Sequence, residues 1–182
     1  MIETKRLCLR PFTEDDIPRL HEIFSDRETM AHYPSPFSYE KTEAWVRWNQ
    51  ESYEENGFGL WAVCLRENQT LIGDCGLVKQ TVDGCTEVEV GYHIDKNHWS
   101  QGFGSEAAFA CKNYAFETLG LNRIISIIVP DNMPSRRVAE KIGLREEKES
   151  FVFGKNHVIY SVDNGNGVHH SITINEEDIA KT

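Results

Sequence analysis

The stretch Trp99-Ser-Gln-Gly-Phe-Gly-Ser-Glu-Ala107 limits the possible folds of this chain more than any other. It follows a strand-like run, Thr86-Glu-Val-Glu-Val-Gly-Tyr-His-Ile94, and opens a long helical pattern. Gly102 and Gly104 let the main chain approach a bulky ligand, because neither carries a Cβ. The first amides of a helix have no partner inside it and sit at the positive end of its dipole. A strand, a glycine turn and a helix start together make a cradle for an anion, most often phosphate. The spacing lacks the Gly-x-x-x-x-Gly-Lys-Ser/Thr of a nucleotide P-loop and the third glycine of a dinucleotide fingerprint. Ser105 is followed by glutamate rather than by x-Gly, so it is not a serine nucleophile elbow.

The elements around the cradle follow from periodicity and punctuation. Arg6 to Phe12 alternates as a half-buried strand does, and Thr13-Glu-Asp-Asp16 starts a helix whose Ile17, Leu20, His21 and Phe24 share one stripe. A second helix is predicted from Ser38 to Asn56-Gly57. Phe58–Leu65 and Thr70–Lys79 form a hairpin, and a third strand follows Asp83-Gly84. The helix after the cradle carries Ala107, Ala110, Cys111, Tyr114, Ala115 and Leu119 on one face and stops at Gly120. Ile124 to Val129 reads as a buried strand, Asn132 as the N-cap of a last helix, and Gly143 as its stop. A final hairpin is predicted to turn at Gly154-Lys155-Asn156. The fold class is α/β: a single-domain mixed, mostly antiparallel sheet flanked by helices, over residues 1–163, with 164–182 as a C-terminal extension. Within that extension Val168–Ile174 alternates weakly, and His169-His170 reads as a solvated pair rather than a metal site.

A chain of 182 residues with 29 acidic and 19 basic side chains carries a formal charge of −10. That balance argues against nucleic acid as a partner, since duplex binding depends on cations that neutralise phosphates. It favours colloidal solubility and, at long range, a cationic partner. No apolar run reaches membrane-span length, the N-terminus has no secretory pattern, and the five cysteines are scattered without Cys-x-x-Cys spacing. A cytoplasmic protein with neither a metal site nor membrane contact is expected. Lys112, Arg123, Arg136, Arg137 and Lys141 lie in the segments around the cradle and the last helix, where an anionic ligand needs local positive charge.

Three ordered segments resemble the GNAT acetyltransferase superfamily. Gln-Gly-x-Gly-Ser-Glu-Ala after Glu-x-Gly-Tyr-x-Ile is similar to its acetyl-CoA pyrophosphate loop. Thr4-Lys-Arg-Leu-Cys-Leu-Arg-Pro-Phe12 with Asp16 resembles the start of its ribosomal-protein N-acetyltransferase (Rim-type) branch. Pro130-Asp-Asn-Met-Pro-Ser-Arg-Arg-Val-Ala-Glu-Lys-Ile-Gly-Leu144 resembles the second cofactor segment. The resemblance implies an acetyl-CoA-dependent N-acetyltransferase, without a metal, acting on a primary amine: a protein N-terminal amine, a polyamine, an aminoglycoside or another small amine. It implies that Gln101, Gly102, Phe103, Gly104 and Ser105 hold the pyrophosphate, with Lys141 supplying charge. The main chain of Tyr92, His93 and Ile94 would pair with the pantetheine arm, with Asn132 as a further partner. A homodimer is left open, and the alternative is a non-catalytic acyl-CoA-binding sensor.

Acetyl transfer needs a base for the amine, a polarised carbonyl and a proton donor for the departing thiolate. Glu87, Glu89, Gly91 and His93 share one face of their strand, which makes both glutamates candidate bases. The resemblance, in which the Glu-x-Gly-Tyr position borders the acceptor pocket, favours Glu89, with Glu87 as the alternative. For the donor, Ser135 leads by its place in the Asn-x-x-Ser segment, with Tyr92 and Tyr160 as competing hydroxyls. Trp45, Trp48 and Tyr53 on the second helix could line the acceptor pocket, although aromatics at that spacing are more often core. Trp99 stands where much of the superfamily has Gln or Arg, and His157 where the branch often has Asp.

Overall fold

The computed structural model describes residues 1–165. Its strands are β1 (Ile2–Glu3), β2 (Leu7–Arg10), β3 (Leu60–Leu65), β4 (Leu71–Val82), β5 (Cys85–Ile94), β6 (Arg123–Ile128), β7 (Arg145–Val152) and β8 (Lys155–Asp163). They form one sheet in the order β1-β2-β3-β4-β5-β6-β8-β7. Every neighbouring pair is antiparallel except β5 and β6. The helices are α1 (Ile17–Phe24), α2 (Tyr39–Asn56), α3 (Phe103–Asn113) and α4 (Met133–Lys141). This is the single-domain mixed sheet flanked by helices that the sequence pattern predicts. The C-terminal segments Val168–Ile174 and His169-His170 lie outside the described residues.

Alternation along the strands sends side chains to two cores. Leu7, Leu9, Trp61, Val63 and Ile72 meet Phe103, Ala107, Ala108, Cys111 and Ala115 of the α3 layer. Ala62, Cys64 and Leu71 point the other way, onto Leu20, Ile23 and Phe24 of α1 and Val46 of α2. Both faces of β3 are therefore covered, which is why all six of its residues are buried. The small residues of α3 let that helix lie close to the sheet, which fixes the height of the Gly102 turn above β5.

Local signals set most boundaries. Ser38 caps α2 by accepting the Lys41 N–H at 3.2 Å, and Gly57 ends it in the left-handed region at φ 77°. Three details differ from expectation. A π-helical turn, Tyr114–Thr118, follows α3 instead of continued α-helix. The short β1, pairing Ile2 with Leu9, is additional. The last hairpin turns at Phe153-Gly154, both with positive φ, and pairs Val152 with Lys155, so its loop is two residues long.

Removing the Ser38 hydroxyl leaves the first turn of α2 without its side-chain acceptor. Ser38→Ala is expected to cost about 1 kcal/mol in urea unfolding, and Ser38→Asp to restore most of it.

Candidate active site

Helix α3 starts at Gly102, whose φ of 81° is costly for any residue with a Cβ, and no side chain caps its first turn. Its first amides are left for an outside acceptor. A cleft of about 410 Å³ lies against this turn, lined by Gln101, Gly102, Ser105 and Lys141 together with Arg6 and Phe109. Phe103 itself turns its ring into the core, so only its main chain can serve the cleft. Nothing in the protein requires Gly104 to be bare. A Cβ there would meet Ile94 and Val138 at 3.7 and 4.0 Å, which are ordinary contacts.

At this cleft the sequence gives no sign of the part played by Arg6. Its Nε donates to Glu106 at 2.7 Å, its Nη1 donates to the Gln101 carbonyl at 2.9 Å, and its guanidinium lies 4.3 Å from the Phe103 ring centre. Thr4 donates to the other Glu106 oxygen at 2.6 Å. Burial pushes the Glu106 carboxyl up, but Thr4 and Arg6 outweigh it and hold the pKa below its usual value. The Glu106 carboxylate beside the cradle is thus matched by a cation. Of the expected positive residues, Lys141 lines the cleft, and Lys112 donates to the Ile142 carbonyl behind it at 2.7 Å. Arg123 pairs instead with Glu87 and Glu147, and Arg136 with Glu146.

Beside the cradle the sheet parts. Strands β5 and β6 share one register pair, Glu89 with Ile125, whereas β5 pairs with β4 along its whole length. The Ser126 hydroxyl donates to the Val90 carbonyl at 2.9 Å, and beyond that point Tyr92, His93 and Ile94 have no ladder on the β6 side. The Tyr92 hydroxyl reaches across to donate to the Ser135 carbonyl at 2.8 Å, and burial raises its pKa. Asn132 caps α4 by accepting the Ser135 N–H at 3.2 Å. The structure therefore brings Tyr92, Asn132 and Ser135 together at the start of α4. Tyr160 is elsewhere, between Arg136 and Glu140.

On the other face of β5, Glu89 accepts from Gln80 Nε2 at 2.9 Å and from the Ile127 N–H at 3.3 Å. Burial pushes its pKa up to about 7, against those two hydrogen bonds. Glu87 faces Arg123 at 3.3 Å, so the two glutamates sit in different electrostatic settings. Further along the same face, His93 Nδ1 contacts Asp74 at 2.6 Å, and Trp45 Nε1 donates to the second Asp74 oxygen at 2.8 Å. His93 Nε2 meets the hydroxyl of Tyr33. Among the described residues no three His, Cys, Asp or Glu side chains converge as a metal site, and no helix is long and apolar enough to cross a membrane.

Comparison with known proteins places this geometry. The acetyltransferase (GNAT) domain model matches residues 6–145. The chain is 36% identical over 147 residues to the uncharacterized N-acetyltransferase YnaD of Bacillus subtilis, covering 80% of this chain and 83% of that one. A GNAT-family acetyltransferase structure from Bacillus anthracis superposes with a TM-score of 0.76 at 29% identity, over 90% of this chain and 98% of the other. RimL, a ribosomal L7/L12 alpha-N-protein acetyltransferase solved in complex with coenzyme A, shares the fold at 18% identity, with a TM-score of 0.71 over 88% and 95% of the two chains. A strand–glycine-turn–helix cradle beside a parted sheet, on a chain so matched, belongs to the GNAT family of N-acetyltransferases.

Proposed function

We propose that the protein moves the acetyl group of acetyl-CoA directly to a primary amine while both substrates are bound, and that residues 1–163 carry this activity. The observation that carries the reading is Glu89, a carboxyl with a pKa near 7 at the point where β5 and β6 part. Acetyl-CoA would supply the thioester. Its pyrophosphate fits the Gly102–Ser105 turn, where a left-handed glycine, uncapped amides and Lys141 meet in one cleft. The pantetheine arm fits along Tyr92–Ile94, whose β6-side edge has no strand partner, with Asn132 close by.

Glu89 takes a proton from the amine nitrogen, a task suited to a carboxylate whose pKa lies near the working pH. Ser135 donates towards the departing sulfur, with Tyr92 beside it. Direct transfer is favoured over an acetyl-cysteine because Cys8, Cys64, Cys75 and Cys111 are buried, and burial raises the Cys64 and Cys75 thiols. The exposed Cys85 sits at the start of β5, in the hairpin with β4 and away from the cradle. The acceptor is a protein N-terminal amine, a polyamine, an aminoglycoside or another small amine. A net charge of −10 favours one that is cationic when free.

Two variants test the two halves of the site, after an amine and N-terminal-peptide panel has identified a substrate. Gly104→Ala meets no clash within the protein and improves helix propensity by ~1 kcal/mol, so its melting temperature should hold or rise. Its Kd for coenzyme A, measured by calorimetry, should rise about tenfold, equal to ~1.4 kcal/mol. Unchanged binding would remove the cradle from the reading.

Glu89→Gln should lower kcat by ~10²–10⁴ and abolish the rise of kcat/KM through pH 7 that reports ionisation of this carboxyl. Stability gives an independent check. A folded-state pKa of about 7 lies above the ordinary carboxyl value. The contribution of Glu89 to stability is therefore complete at low pH and lost as pH rises through about 7. Glu89→Gln should accordingly gain stability relative to the wild type between pH 5 and pH 8, read by urea unfolding at both.

A further inference from the structure

Asp74 is fully buried, and its two oxygens are taken by Trp45 Nε1 at 2.8 Å and His93 Nδ1 at 2.6 Å. Replacing such a buried polar array with apolar side chains is often neutral or stabilising, so packing alone gives no reason for it. The array also has a direction. Asp74 holds the Nδ1 side of the imidazole, which leaves Nε2 for the Tyr33 hydroxyl. Tyr33 is 38% exposed and belongs to the segment joining α1 to α2. A chain of proton-carrying atoms thus runs from a residue at the surface to a carboxylate at the centre of the sheet.

Its position relates it to Glu89. Residues 89, 91 and 93 point to one face of β5, with His93 about 13 Å along the strand from Glu89 at ~3.3 Å per residue. Gly91 lies between them. The nearest atom to a Cβ built on Gly91 is Leu60 Cδ2 at 3.7 Å, so the protein itself does not fill that place. The Tyr33 segment also meets two other parts of the chain: His32 Nδ1 lies 3.8 Å from Asp131, and the His32 main-chain carbonyl accepts from Lys155 Nζ at 3.3 Å.

We propose that Tyr33 and His93, with His93 oriented by Asp74, form a second proton path that serves an acceptor amine bound over Gly91. This rests on the acetyl-transfer reading above. An ammonium gives up two protons on becoming an amide nitrogen. In the first step, the Tyr33 oxygen takes a proton from the ammonium as its own proton passes to His93 Nε2. Tyr33 is unchanged, and His93 becomes imidazolium against Asp74. The second proton leaves as the C–N bond forms and passes to Glu89. One of the two ends on the coenzyme A sulfur as the C–S bond breaks, and the other goes to solvent. Amide, thiol and one free proton then balance ammonium and thioester. Tyr33 touches the acceptor in this scheme, and Asp74 is a positioning residue.

The charged and titratable groups around His93 agree with that role. Burial disfavours the imidazolium, but Asp74 on β4 and Glu89 on β5 outweigh it and raise the pKa above the ordinary histidine value. Burial raises the Tyr33 phenol, so Tyr33 passes a proton on without holding a charge. The remaining neighbours of the ring, Phe24 and Trp45, do not titrate.

The experiment compares wild type, Tyr33→Phe, Asp74→Asn and Asp74→Glu on the acceptor found in the amine panel, with kcat/KM followed against pH. Tyr33→Phe should lower kcat at least tenfold with coenzyme A affinity unchanged. Asp74→Asn should move the acidic limb of the profile to lower pH, as His93 loses the partner that raises it, and Asp74→Glu should return the limb part of the way. Imidazole NMR of the same variants should show the His93 pKa falling in Asp74→Asn. An unshifted profile and full kcat in Tyr33→Phe, with Glu89→Gln still impaired, would overturn the relay and leave acetyl transfer standing. Should Asp74→Asn fail to fold, Tyr33→Phe alone decides. A wild type that acetylates no amine in the panel would overturn both.

Discussion

The separation of β5 from β6 is the constraint on which the site depends. Two adjacent parallel strands ordinarily continue their ladder, yet these share one register pair while β6 gives six residues to β8. Main-chain groups at such a gap must find other partners. Ser126 supplies one for the Val90 carbonyl and Glu89 one for the Ile127 N–H. The side chains that close the ladder early are thus next to the opening they create. Glu89 is desolvated because it is wedged there, and that desolvation gives it a near-neutral pKa. An intact ladder would have removed both the free edge of β5 and the reason for an unusual carboxyl.

Charge is managed locally against an unfavourable total. A chain at −10 presents, at the Gly102 turn, helix amides with no side-chain cap, a place that suits an anion. Two of its cations in the surrounding segments are already paired, Arg123 with Glu87 and Glu147, and Arg136 with Glu146. What remains at the cleft is the helix terminus, Lys141 and Arg6, the last shared with Glu106. Such partly exposed pairs are worth little as stability, typically 0–1 kcal/mol. Their value here is placement: Arg6 cancels the Glu106 carboxylate, which would otherwise oppose the ligand.

What the sequence shows of this molecule follows the range of the interactions involved. The bounds of α2 are legible because a serine cap and a left-handed glycine act within four residues. The cradle is legible because its glycines and helix start are contiguous, and the cleft is lined by four of the residues so named. The faces of β5 are legible because a strand has a period of two. The last hairpin turns at Phe153-Gly154 and not at Gly154-Lys155-Asn156, since a phenylalanine at positive φ carries no turn signature of its own. The π-helical turn after α3 has no local signal at all. Arg6, Asp74, Trp45 and Tyr33 escape for one shared reason: each acts on a partner from a different element, 19 to 100 positions away. Helical spacing suggests core for Trp45, and only the structure reveals its indole N–H on Asp74.

The clasp of Thr4 and Arg6 on Glu106 joins positions 102 and 100 residues apart. Contacts of that span close late, because the chain between them must already be ordered before they cost little entropy. During synthesis the first strand leaves the ribosome long before the cradle helix exists, and waits for it. The first turn of α3 is therefore completed by chain made about a hundred residues earlier, and the cleft reaches its final form only when the two meet. A ligand of this cleft selects molecules whose sheet has already closed from end to end, and so acts as a late stabiliser of finished protein rather than a template for folding.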